Sequence, residues 1–92
     1  MQRVTEKHLD AVVERINILT GSPLAPYTKT AVVPRANVGN YHLDWAYGKV
    51  RLVRMGNAGG GIETITQYGT KRECLAEMHA FIRGYSASQT KE

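Results

Sequence analysis

Apolar residues recur at three- and four-residue steps between Thr5 and Thr20, at Leu9, Val12, Val13, Ile16 and Leu19. That spacing places them on one stripe of a helix. Thr5 is positioned to cap it, Glu6 and Asp10 lie toward the positive end of its dipole, and Gly21 followed by Pro23 ends it. From Asn40 to Met55 the period changes to two. Gly48-Lys49 has the chemistry of a two-residue turn of the Gly-X kind, which pairs Tyr47 with Val50, Trp45 with Leu52 and Leu43 with Arg54. Tyr41, Leu43, Trp45, Tyr47, Val50 and Leu52 then form an expected core face, with His42, Asp44, Ala46, Arg51, Val53 and Met55 on the outer one. Arg54 falls on the core face near the end far from the turn, where its methylenes can pack while the guanidinium reaches water.

Residues 22–37 hold all three prolines, Pro23, Pro26 and Pro34, around the apolar Ala31 to Val33. They read as a long connection with at most a short edge strand. Gly56 to Gly61 reads as a loop and Ile62 to Tyr68 as a third strand, which a marginal hairpin needs. Thr70 and Glu73 have capping-box spacing. The helix behind them is expected to run to about Arg83, burying Cys74, Leu75, Met78, Phe81 and Ile82, with Gly84 as its stop. The expectation is one α+β domain over residues 1–84, in the order helix, three-stranded antiparallel sheet, helix (αβββα), with both helices on one sheet face. Residues 85–92 are expected to form a flexible tail.

Composition changes this picture little. A chain of 92 residues builds one core, and no apolar run is long enough to span a bilayer. No signal-like segment opens the chain, and the single Cys74 rules out an internal disulfide. Both features fit a reducing cytoplasm, with no membrane partner. Charge adds more. The net +4 comes wholly from residues 21–58, where Lys29, Arg35, Lys49, Arg51 and Arg54 face Asp44 alone, because the segments on either side balance. A local excess of this kind favours acidic partners.

Candidate chemistry is sparse. His8, His42 and His79 fall on three different elements without helical zinc-site spacing, and Cys74 lies in the core stripe, so neither a metal, a cofactor nor a catalytic centre is expected. The glycine run lacks the terminal Lys-Ser or Lys-Thr and the following helix of a phosphate-binding loop. What remains is basic. Lys49, Arg51, Arg54, Lys71 and Arg72 are the candidate binding residues, and neutralising about four phosphates would give a log-log salt slope near −3 to −4.

The αβββα order, with Lys71 and Arg72 opening the last helix, resembles the double-stranded RNA-binding domain, which sets lysines there against phosphates. Leu75 stands where that family has a third basic residue, and its glycine-proline-histidine loop is missing. The patterns Asn37 to Leu43, Ala46 to Gly48, Leu52 to Met55, Gly59 to Gly61, and Lys71 to Glu73 with Met78 and His79 resemble small proteins of tailed bacteriophages and prophages. That likeness implies a phage or prophage origin, with the cytoplasm of a bacterial host as the setting, and no particular activity. The expected function is a non-enzymatic nucleic-acid-binding module using a basic sheet face. The alternative is an inhibitor or adaptor that binds an acidic host protein surface, as a monomer or homodimer.

Overall fold

A computed structural model describes residues 3–30 and 33–89. The elements are α1 (Glu6–Thr20), β1 (Tyr27–Thr30), β2 (Val33–Ala36), β3 (Tyr41–Ala46), β4 (Lys49–Met55), β5 (Ile62–Thr64) and α2 (Lys71–Gln89). The architecture is α+β, as expected, with the three-stranded antiparallel sheet β3-β4-β5 and an additional two-stranded sheet β1-β2. No helix among the described residues is long and apolar enough to cross a membrane.

Local signals set the ends of α1. The Thr5 hydroxyl accepts the His8 N–H at 3.1 Å, and Gly21, at φ 71°, closes the helix in the left-handed conformation that glycine adopts without steric cost. Ser22 N–H then donates to Asn17 C=O and Gly21 N–H to Ile18 C=O, the paired bonds of a Schellman ending. Leu9, Val12, Val13 and Ile16 are buried as the periodicity predicts, but Leu19 is 38% exposed, and the fifth buried position is Asn17.

The prolines do not prevent strand formation. β1 and β2 pair antiparallel, with Pro34 opposite Lys29, because a two-stranded ribbon has only edge strands, where proline is tolerated. Two asparagines tie down its base. Asn37 donates to Ala25 C=O at 2.9 Å and accepts from the Thr28 hydroxyl at 2.9 Å, while the Asn40 amide donates to Pro23 C=O at 2.7 Å. Of the apolar stretch, Ala31 and Val32 lie outside the described residues.

The β3-β4 turn sits one residue earlier than the Gly-X rule predicts. Tyr47 (φ 55°) and Gly48 (φ 75°) are its central pair, so Trp45 lies opposite Val50, Leu43 opposite Leu52 and Tyr41 opposite Arg54. Positive φ at both central positions is the signature of a type I′ turn, whose twist matches that of a hairpin. The observed register gains a cross-strand Asp44–Arg51 ion pair at 2.8 Å; the expected one would have set Asp44 against Val53. Pairing partners shift by two, so the sheet faces keep their composition. Tyr47, however, leaves the strand for the turn and is fully exposed, and Trp45 is 41% exposed.

β4 is the central strand. On its far side β5 is shorter than expected, because Ile65 and Thr66 N–H both donate to Leu52 C=O. Two residues opposite one make a bulge that ends regular pairing. The Thr66 hydroxyl fills the gap by accepting Leu52 N–H at 2.9 Å, and pairing resumes where Val50 and Gly69 exchange both backbone bonds.

The capping box of α2 is formed: Thr70 N–H donates to Glu73 Oε1 at 2.8 Å, and Glu73 N–H to the Thr70 hydroxyl at 3.1 Å. The helix passes through Gly84 to Gln89 instead of stopping. A single mid-helix glycine costs only about 1 kcal/mol relative to alanine, and the half-buried Tyr85 follows it. Both helices pack on the same sheet face, α1 against β3 and α2 against β4. Leu9, Val12, Val13, Ile16, Val50, Leu52, Cys74, Met78 and Ile82 form the core between them. Tyr41 and Phe81 join its margin with ring centroids 5.5 Å apart.

Candidate functional site

The five basic candidates do not share one surface. Arg51 lies on the helix-free face, where its Nε donates to Asp44 Oδ2 at 2.8 Å, its NH1 donates to the Thr64 hydroxyl at 2.9 Å, and its guanidinium lies 4.5 Å from the Tyr68 ring centroid. The Tyr68 hydroxyl donates to the same Asp44 oxygen at 2.7 Å. This is a closed polar cluster, with the arginine fork and its charge already engaged. Arg54 is on the opposite face, paired with Glu63 at 3.1 Å and 5.9 Å from the Tyr41 ring centroid. Neither arginine presents an uncommitted cation.

Lys49, Lys71 and Arg72 are exposed at the hairpin-turn end of the sheet. Lys49 opens β4 beside the turn, and Lys71 follows Gly69, the residue bridged to Val50, by two positions. Trp45 lies opposite Val50, so Trp45, Val50 and Gly69 form a row across the sheet just below Tyr47. The tip therefore combines two exposed aromatics with lysines. The expected face-wide basic surface contracts to this end. Tyr47 and Trp45, expected in the core, are the exposed residues that the patterning missed, because moving the turn by one residue is enough to release Tyr47 from the strand.

Electrostatics on the helix-free face follow from the cluster. The Tyr68 hydroxyl bond, then the Arg51 bond, hold the Asp44 carboxyl below its ordinary range, while Asp44 raises the Tyr68 phenol above its own. Burial lowers His42 below the ordinary histidine value, against the opposing pull of Asp44. Its Nδ1 lies 3.1 Å from Asn40 Oδ1; that oxygen can only accept, so Nδ1 carries the proton of the neutral ring. Replacing Tyr68 with phenylalanine is expected to raise the Asp44 pKa toward the ordinary carboxylate range, readable by carbon-detected NMR titration. The sign follows from linkage. A depressed folded pKa contributes stability that is complete above about pH 4 and is lost as pH falls through the folded value. The Tyr68→Phe protein should accordingly lose less of its stability between neutral and acidic pH than the parent.

The glycine loop spends its donors internally. Asn57 Oδ1 accepts from Gly59 and Gly61 N–H at 2.9 and 3.0 Å, while Gly56 N–H bonds Gly61 C=O and Gly60 N–H bonds Asn57 C=O. None of these four amides is turned toward an anion. Cys74 is buried, which pushes its thiol pKa up, away from nucleophilic use. Among the described residues, no group of three or more His, Cys, Asp or Glu side chains is placed to hold a metal ion. No family model matches the chain, and no curated protein or solved structure shows significant similarity to it.

Proposed function

We propose that this is a non-enzymatic module that binds single-stranded nucleic acid through the β3-β4 hairpin tip, with Tyr47 and Trp45 stacking on bases and Lys49 and Lys71 meeting phosphates. The observation that carries the reading is Tyr47, which is fully exposed at φ 55°. An L-residue in the left-handed region costs roughly 1–2 kcal/mol, and a side chain with no burial recovers none of it. Strain held at an exposed aromatic points to a binding role. Aromatic platforms beside cations are how single strands are held without sequence readout. A duplex keeps its bases stacked inside and offers these rings much less.

Anisotropy of labelled single-stranded and duplex oligonucleotides tests this. Single strands should bind more tightly than duplexes. With two lysines at phosphates the log-log salt slope should be about −1.4, or about sevenfold between about 50 and 200 mM salt. Equal duplex binding, or no binding at the lower salt, would overturn the reading.

A further inference from the structure

β3 pairs with β4 on one side only, and ladder geometry fixes which of its backbone groups face outward. Tyr41 identifies them: its C=O accepts from Asn17 Nδ2 at 2.9 Å and its N–H donates to Asn17 Oδ1 at 2.8 Å. The side chain of a helix residue thus acts as one residue of a neighbouring strand. Alternation then turns the N–H and C=O of Leu43 and Trp45 outward as well, and among the described residues no backbone group meets them. Asn17 closes the edge at Tyr41 and leaves it open from Leu43 onward.

A groove of about 260 Å³ lies along this edge, between α1 and the segment before β1. Val13, Leu24 and Leu43 supply apolar wall, and Asp10 and Glu14, one helical turn apart, supply its charge. His42, the other titratable side chain of the groove besides Tyr41, carries no opposing positive charge at neutral pH, because burial lowers its pKa. Among the described residues, no lysine or arginine lines it.

We infer that this edge is a second binding site, which takes an extended, lysine- or arginine-bearing segment of a partner protein as an added β-strand. Main-chain bonds to Leu43 and Trp45 would supply affinity, and alternate side chains entering the groove would supply selectivity. Charge decides the occupant. A second copy would bring β3 itself, whose one carboxylate is Asp44 and which carries no lysine or arginine, against Asp10 and Glu14, whereas a cationic strand is attracted to both carboxylates. The inference does not depend on nucleic-acid binding at the tip.

The test uses the full chain, labelled with nitrogen-15, and two capped peptides of about eight residues that alternate valine with lysine or valine with glutamate. The lysine peptide should shift the Leu43 and Trp45 amide resonances and slow their hydrogen exchange. The glutamate peptide should bind at least about tenfold more weakly, as should the lysine peptide toward the Asp10→Lys, Glu14→Lys double variant, a difference of about 1.4 kcal/mol. Both changes are at exposed helix positions, and the spectrum itself reports whether the variant is folded. Equal binding of the two peptides, shifts confined to other residues, or no binding of the lysine peptide to the parent would overturn the inference. So would concentration-dependent protection of Leu43 and Trp45 without peptide, which would make a second copy the occupant.

Discussion

Replacing Asn17 with leucine is expected to lower the unfolding free energy by about 3 kcal/mol and the melting temperature by on the order of 15 °C. Asn17 is 1% exposed, and its carboxamide satisfies both backbone groups of Tyr41. Leucine has the same branched shape and is larger, so no cavity forms; the cost comes from stranding a donor and an acceptor away from water. Domains of this size have about 5–15 kcal/mol in total, so one side chain controls a large part of it. Asn17→Asp separates the two bonds. Its carboxylate can still accept Tyr41 N–H but opposes Tyr41 C=O, so the aspartate protein should be least stable near neutral pH and recover as acid protonates the side chain. Thermal melts of the three proteins at neutral and mildly acidic pH check both statements.

Leu52→Ala should cost about 2–5 kcal/mol, whereas Trp45→Ala should cost about 1 kcal/mol or less. Both positions point to the helix side of the sheet. Leu52 is fully buried in the shared core, and its removal leaves a cavity that the central strand, bonded on both edges, cannot collapse. Trp45 lies outside the shared core and already has 41% of its surface in water. A buried tryptophan, as the alternation of β3 suggests, would cost about 3–5 kcal/mol on truncation. Denaturant titration of the two variants therefore reads out where the core ends.

What the sequence conveyed well was local. The α1 stripe, the Thr5 cap, the Gly21 ending and the Thr70–Glu73 box each depend on residues within a turn of one another. What it concealed was settled by distant partners. The hairpin register depends on Asp44 meeting Arg51 and on Met55 N–H reaching Asn40 C=O, and those outweigh the preference for glycine at the first turn position. Asn17 carried a readable signal, since it stands four residues after Val13 on the buried stripe, where a polar side chain requires a partner. The β1-β2 ribbon was masked by its prolines. Of the candidate site residues, Arg51 shared a face with Asp44 in the alternation pattern, but their pairing was not legible, because it depends on that same hairpin register. Nor was the exposure of Tyr47, because it turns on a one-residue choice between adjacent turns.

Tyr47→Asn tests the functional account most directly, because it moves stability and binding in opposite directions. Asparagine accepts the left-handed conformation readily, so the variant should gain about 1 kcal/mol of stability and melt about 4–8 °C higher. It lacks the ring, so single-strand affinity measured by anisotropy at about 50 mM salt should fall by roughly 1–3 kcal/mol, or about 5- to 150-fold. Retained affinity in the stabilised protein would contradict the account, since the strained, exposed tyrosine would then have no part in binding.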